Sequence, residues 1–192
     1  QYLNRYNLEL DNEFNQRLAN TPCDNHCKNI IQIYSSFLFR VRPSRDFGSL
    51  AEEPSLESFL KDADLEGNNL NSVIKQAQNY ASIYGHCFMI LDKPRVTTNT
   101  RAEELEQDIR PYLSIVTPEN VLDWNFKREV NGKYYLDYLK IREEVDKDGG
   151  TYMRLWYPDR IETIYMPERE PPQIIDTADN LIGKIPAVIL YN

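Results

Sequence analysis

The sequence contains no long hydrophobic run. Its 192 residues are 41% hydrophobic, but they occur in short stretches, and none approaches the roughly 18 apolar residues that a membrane-spanning helix needs. The first seven residues lack the basic start, apolar middle and small-residue cleavage site of a secretion signal, and residue 1 is Gln1 rather than Met. We therefore expect no membrane partner, and we expect the chain to begin within a longer protein.

Cysteines are few, and basic residues are fewer than acidic ones. Three cysteines are an odd number, and their spacing matches no secreted disulfide framework, so we expect a product made in a reducing cytoplasm. With 22 basic against 30 acidic residues the net charge is −8, and this field repels a phosphate backbone. Composition therefore argues against wrapping of nucleic acid, and any contact with DNA should be local or transient.

Sequence motifs of common enzymes are missing. There is no G-x-S-x-G nucleophile elbow, and Gly183-Lys184 lacks the upstream glycine and the following Ser or Thr of a phosphate-binding loop. No acidic-x-Lys triplet, which a metal-dependent nuclease could use, occurs anywhere. We predict that the chain is not an enzyme and has no catalytic residues and no cofactor.

Two groups of residues contain side chains that could in principle bind a metal ion. The first contains Cys23, His26, Cys27, His86 and Cys87, and its spacing lacks the paired ligands of a zinc site, so buried thiols are expected instead. We place Cys27 on the core face of a helix.

The second group imitates the start of a calcium loop. Asp62, Asp64 and Glu66 occupy its first, third and fifth positions and Gly67 its sixth. The twelfth position is Val73, which cannot supply a carboxylate. A turn between helices is the preferred interpretation, and no metal site is predicted.

The first half of the chain has helical periodicity. Leu10, Phe14 and Leu18 recur every four residues, and Thr21-Pro22 offers a cap followed by proline at the first helical position. We expect the second helix to begin there, and Ser55 to cap a short third one. The apolar faces of the second and the long fourth helix consist of Cys27, Ile30, Ile31, Tyr34 and Leu38, and of Val73, Ala77, Tyr80 and Tyr84.

Strand patterns dominate the second half. Gly85 should end the long helix and lead into a strand at residues 86–91 that is buried on both faces. The hairpin signal Asn131-Gly132 and turns at residues 148–150 and 158–159 predict an antiparallel meander over residues 121–166. Residues 167–172 read as a spacer before a last strand at residues 185–191. Tyr134, Tyr135 and Tyr138 favour packing or subunit contact over base stacking.

These patterns define the fold class as α+β, with N-terminal amphipathic helices packed on an antiparallel β-meander. We expect residues 1–110 to be mainly helical with one core strand, and residues 111–192 to be β-rich.

Several segments, in this order, resemble portal proteins of tailed bacteriophages. The early helix NHCKNIIQIYSSFLF (residues 25–39) is followed by SLESFLKDAD (55–64), by ASIYG (81–85) running into HCFMILDKP (86–94), by RPYL (110–113) with PENV (118–121), by LKIREE (139–144), and by IGKIP (182–186). The resemblance covers roughly residues 25–192. It identifies the chain as similar to the N-terminal wing portion of a portal subunit, with the stem, clip and crown absent.

The resemblance implies a homo-oligomeric ring, usually a dodecamer, at one capsid vertex of the virion. Such a ring is a head–tail connector through which double-stranded DNA enters during genome packaging and leaves during ejection, without sequence specificity. Its implied partners are the major capsid protein, a terminase and head–tail adaptor proteins. The sequence does not identify the residues of the subunit interface. Two alternatives stay open: a cytoplasmic metal-dependent hydrolase that uses Asp62, Asp64 and Glu66, and an intracellular protein-interaction domain.

Overall fold

The computed structural model of the chain describes residues 3–21, 25–94, 100–147 and 149–192. The fold is α+β, as predicted, with most helices before the first strand, α5 between β1 and β2, and two antiparallel sheets. The helices are α1 (Asp11–Asn20), α2 (His26–Leu38), α3 (Pro54–Lys61), α4 (Leu70–Tyr84) and α5 (Arg101–Glu106). The strands are β1 (His86–Asp92), β2 (Tyr112–Val116), β3 (Val121–Arg128), β4 (Tyr134–Val145), β5 (Thr151–Trp156), β6 (Arg160–Met166), β7 (Gln173–Asp179) and β8 (Ala187–Tyr191).

Two helices begin at residues other than those predicted. The described part of α2 begins at His26, and Asn25 rather than Thr21 caps it, with its side-chain oxygen accepting the Lys28 amide at 2.9 Å. Residues 22–24 lie outside the described residues. Helix α3 begins at Pro54, so Ser55 lies inside it, because proline suits the first helical position better than serine does.

Helix α4 and strand β1 form the unit that the sequence predicted. Asn69 caps α4 by accepting the Ser72 amide at 3.1 Å. Gly85 ends the helix in the left-handed region at φ 84°, which costs glycine little because it has no Cβ. The turn sends the chain straight into β1, which is the central strand of a three-stranded sheet in the order β2-β1-β8.

The three-stranded sheet is the middle layer of the molecule. On one face, α4 presents Ala77 and Ala81 to Cys87 of β1, and all three are fully buried. On the other face, Phe88 and Ile90 of β1 meet the second sheet. Burial of a side chain such as Phe88 contributes about 1.5 to 3 kcal/mol. The prediction that β1 is buried on both faces is confirmed, and α4 packs on this middle sheet rather than directly on the meander.

The second sheet is a five-stranded meander in the order β3-β4-β5-β6-β7. The predicted hairpin turn is present between β3 and β4, with Gly132 at φ 86°. Its buried side chains that face the middle layer are Val121, Leu136, Leu139, Ile141, Trp156 and Ile161. A register shift after Asn125 brings both Leu136 and Leu139 to this face, although strict alternation would place them on opposite faces.

The last two strands differ from the sequence interpretation in different ways. Residues 173–179 form β7, a fifth meander strand that the sequence interpretation did not include. The predicted last strand is present as β8, but it pairs with β1, so that Phe88 lies opposite Ile189. Asn180 closes the link between β7 and β8, since its side-chain amide donates to the carbonyls of Tyr157 and Lys184 at 3.0 and 2.9 Å.

Candidate subunit-contact surfaces

The described residues among the zinc-ligand candidates do not form a metal site. Cys27 is exposed on α2, so its predicted place on a core face is wrong. Cys87 is buried and donates from Sγ to the Ala77 carbonyl at 3.2 Å. His86 lies among the rings of Phe88 and Trp124, and Cys23 lies outside the described residues. Within the described ranges, no three His, Cys, Asp or Glu side chains come together to hold a metal ion.

The loop that imitates a calcium site is closed by its own hydrogen bonds. Asp62 accepts the Gly67 amide on one carboxylate oxygen at 2.9 Å, and Arg110 donates to the other oxygen at 2.7 Å. Partial burial disfavours the charged form of Asp64, yet hydrogen bonds from the Asn68 side chain and from backbone amides outweigh this effect and lower its pKa. The Asp62 and Asp64 carboxylates are therefore already engaged.

Arg110 is a buried cation that the sequence interpretation did not single out. Its guanidinium binds the Asp62 carboxylate, the Asp62 carbonyl and, at 3.0 Å, the Asp108 carboxylate. Only 8% of its side chain is exposed. Burial disfavours the charged guanidinium, but the two carboxylates outweigh this cost and raise its pKa. Its one signal in the sequence is its place in the segment RPYL (110–113), which does not indicate the contacts with Asp62 and Asp108.

Helix α2 leaves most of its apolar face uncovered. Its packing partner is α4, and the contact follows a narrow line on which Ser35 is the one buried residue of the helix. The expected core face is therefore only partly correct. The large side chains exposed on α2 are Ile30, Ile33, Tyr34, Phe37 and Leu38, each with more than half of its surface accessible. A contiguous patch of large exposed apolar side chains usually marks a surface that contacts another molecule.

The two outer strands of the meander are also uncovered. In β3, every side chain after Val121 is exposed, including Trp124 and Phe126 at 40% and 41%. In β7, Ala178 is the one side chain that is partly covered, and Ile174 and Ile175 are 62% and 52% exposed. Both strands thus present apolar groups beside unpaired backbone.

The tyrosines of the meander take part in packing and in surface contacts. Tyr138 packs on Tyr157, with 5.4 Å between ring centroids, and burial raises its pKa. Tyr134 is exposed at the hairpin, where the Arg128 guanidinium carbon lies 5.6 Å from its ring centroid. This arrangement suits packing and contact with another protein surface.

These observations define an α+β domain whose uncovered apolar surfaces fit a protein that works in an assembly. No helix among the described residues is long and apolar enough to cross a membrane. The family model described as phage portal protein, SPP1 Gp6-like, matches residues 2–192, and the chain belongs to this family of phage structural proteins. The match extends to the N-terminal residues that the sequence resemblance did not cover. A comparison with curated proteins gives no match.

Family membership gives the chain a role as a portal component at the capsid vertex of a bacteriophage virion. A portal is an oligomeric ring, so each subunit must present surfaces to its neighbours. The uncovered surfaces of α2, β3 and β7 are the candidates for these contacts on this chain.

Proposed function

We propose that this chain is the wing portion of a portal subunit and builds the outer wall of a ring at one capsid vertex. Residues 1–110 supply the mainly helical part of the wing, and residues 111–192 supply its β-rich part. The ring, a dodecamer, forms the channel by which double-stranded DNA enters during packaging and leaves during ejection. The observation that carries this proposal is the family match over residues 2–192.

The remaining partners follow from the same role. The subunit is made in the host cytoplasm, and the ring contacts the major capsid protein, a terminase and head–tail adaptor proteins. The chain's net charge of −8 supports passage of DNA without sequence-specific binding, because an acidic surface repels phosphates. The chain acts structurally, without a catalytic residue or a cofactor.

Electron microscopy of the complete subunit tests this proposal. At micromolar concentration and moderate salt we expect rings with a central channel, and mass measurement of the same sample gives the number of subunits. A subunit that stays monomeric across the accessible concentration range under native conditions would contradict the proposal.

The hydrolase alternative has no support from the geometry, because Asp62 is bound by Arg110 and Asp64 by backbone amides. A thermal-shift measurement with Mg²⁺, Mn²⁺ and Ca²⁺ separates the two functions. A ligand that binds the folded chain raises its melting temperature by mass action. We expect no such increase. A large increase that Asp64→Ala abolishes would favour the hydrolase.

A further inference from the structure

Strands β3 and β7 are the two edges of the five-stranded sheet. Each of them pairs on one side only, with β4 and β6 respectively, among the residues that the structure describes. An edge strand presents a row of unpaired N–H and C=O groups, which is a template for pairing with another chain.

Two of the usual protections of such edges are missing here. Native proteins shorten edge strands or place proline on them, whereas β3 has eight residues, β7 has seven, and neither contains proline. Leu122, Trp124 and Phe126 remain 40% to 44% exposed on β3. Ile174 is more exposed still on β7, so both edges combine free backbone with apolar side chains.

The direction of the strands limits how two copies can meet. All neighbours in this sheet are antiparallel, so the first and the fifth strand run in the same direction. If the sheets of two copies lie edge to edge in the same orientation, β7 of one copy runs parallel to β3 of the next. The two edges are different surfaces, so repetition of this contact gives a head-to-tail arrangement that can close into a ring.

Charge and side-chain faces select one register for this pair. With Asp179 beside Lys127, Phe126 lies beside Ala178, and both side chains are on the face that meets the middle sheet. Within one chain Lys127 already binds Asp137 at 2.7 Å, and Asp179 would add a second carboxylate from the neighbouring copy.

The same register keeps the two faces of the sheet continuous. Trp124 lies opposite Leu139, on the face that meets the middle sheet. Residues that lie opposite each other on neighbouring strands share a face. Ile141 faces the middle sheet, and Arg154, Thr163 and Asp176 lie in line with it on the next three strands. Asp176 is therefore on the same face. The register places Trp124 beside Asp176, so side chains of one face meet side chains of the same face.

We propose that β7 of one copy adds to β3 of the next in parallel, with residue 179 beside residue 127, so that the five-stranded sheets join into a belt around the ring. This inference rests on the proposed ring-forming function and names the strands that make its subunit contact. A five-stranded sheet is about 24 Å wide at 4.8 Å per strand, so each copy contributes about that length to the belt.

Disulfide trapping in the complete subunit tests the pairing. The variant Asn125→Cys with Thr177→Cys places two thiols side by side in the proposed register, on the face away from the middle sheet. Neighbouring strands are about 4.8 Å apart, which lies within the Cα separation that a disulfide spans. Cys27→Ser removes an exposed thiol, Cys23 is also replaced by Ser, and Cys87 is retained because it is buried.

Oxidation of this variant should give a ladder of dimers, trimers and higher species up to the closed ring on a non-reducing gel. Each single-cysteine variant should give no ladder. The matched control is Asp123→Cys with Thr177→Cys, in which the thiols are two residues out of register. A shift of about 7 Å along the strand should reduce its cross-linking at least tenfold.

The outcomes distinguish this inference from the function on which it rests. Rings in the microscope without cross-linking at 125 and 177 would overturn the strand pairing and leave the portal function standing. Monomers would contradict the function itself. Equal cross-linking of the control pair would also overturn the proposed register, because the strands would then slide past one another.

A charge exchange gives an independent measurement. Asp179→Lys should lower the cross-linking yield of the 125 and 177 pair several-fold, because it places a cation beside Lys127. Adding Lys127→Glu to the same chain restores an opposite-charge pair and should recover most of the yield. If the double variant cross-links no better than Asp179→Lys alone, the contact between residues 127 and 179 does not exist.

Discussion

Arg110 and Asp62 are 48 residues apart in the sequence and form an ion pair at 2.7 Å. The pair joins the loop before α4 to the start of β2. The Leu113 amide strengthens the same junction by donating to the Ala63 carbonyl at 2.7 Å. Loop and strand therefore hold α4 at a fixed position over the middle sheet, and the loop does not need a cation to keep its shape.

Removal of the guanidinium should destabilise the fold markedly. Arg110→Ala leaves the Asp62 carbonyl and one oxygen of its carboxylate without this donor, and the loss of a donor to such groups costs about 1 to 3 kcal/mol. Chemical denaturation monitored by circular dichroism measures the change in the free energy of unfolding.

The matched control for Arg110→Ala is Lys61→Ala. This variant breaks an exposed ion pair with Glu57, which contributes little stability because solvent screens the two charges. If the two variants lose the same stability, the Arg110 contacts do not hold the loop.

The sequence predicted those parts of the fold that local signals determine. The α4 helix, its stop at Gly85 and the buried strand β1 follow from apolar spacing and one left-handed position. The hairpin at Asn131-Gly132 likewise follows from a local signal, because Asn-Gly favours a tight turn and Gly132 adopts positive φ. These elements form for reasons contained within about fifteen residues of chain.

The remaining features depend on contacts between distant residues. β7 was missed because alternation reveals a strand only when one face is buried, and residues 173–177 are all exposed. The apolar spacing of α2 was recognised, but periodicity cannot tell whether a neighbour in the same chain covers the face. The Arg110 contacts with Asp62 carry no local pattern.

Substitution of Gly150 should cause a steric conflict rather than backbone strain. A Cβ at this position would overlap the Tyr165 hydroxyl and lie 2.7 Å from an Asp146 carboxylate oxygen. These two groups are hydrogen-bonded at 2.6 Å. Gly150→Ala should therefore cost about 1 to 3 kcal/mol of stability, measured by thermal denaturation.

A double variant identifies the cause of the Gly150→Ala effect. In a Tyr165→Leu background the overlapping ring is absent, and the cost of Gly150→Ala should fall by more than half. The comparison position is Gly183, where a Cβ meets nothing but the backbone has φ 70°. The cost of Gly183→Ala should be the same in both backgrounds, because its origin is local strain.

The N-terminal segment should show a distinct pH dependence. Arg17 donates hydrogen bonds to the Glu9 carboxylate at 2.7 and 2.8 Å and lowers the pKa of Glu9 from 4.5 to about 2. Because the pKa is lower in the folded chain, this contact stabilises the segment fully above about pH 4.5. The contribution is lost as the pH falls from 4.5 towards 2.

An NMR titration of the Glu9 carboxyl carbon measures this pKa directly. In the Arg17→Met variant the Glu9 pKa should rise most of the way back to 4.5, since the hydrogen bonds from the guanidinium are its largest cause. A Glu9 pKa that stays near 2 in that variant would show that another group lowers it.

The two described thiols should differ sharply in reactivity. Cys27 is exposed on α2, whereas Cys87 is buried beneath α4, where burial raises the pKa of its thiol. The thiolate is the reactive form, so both access and ionisation protect Cys87.

In a Cys23→Ser background, a disulfide reagent at pH 8 should modify Cys27 rapidly and Cys87 only as the chain unfolds. Cys27→Ser should abolish the fast reaction. A fast reaction that persists in this variant would mean that the contact of α4 with β1 opens readily in the folded protein, and Cys87 would then also have to be replaced before strand pairing is tested by disulfide trapping.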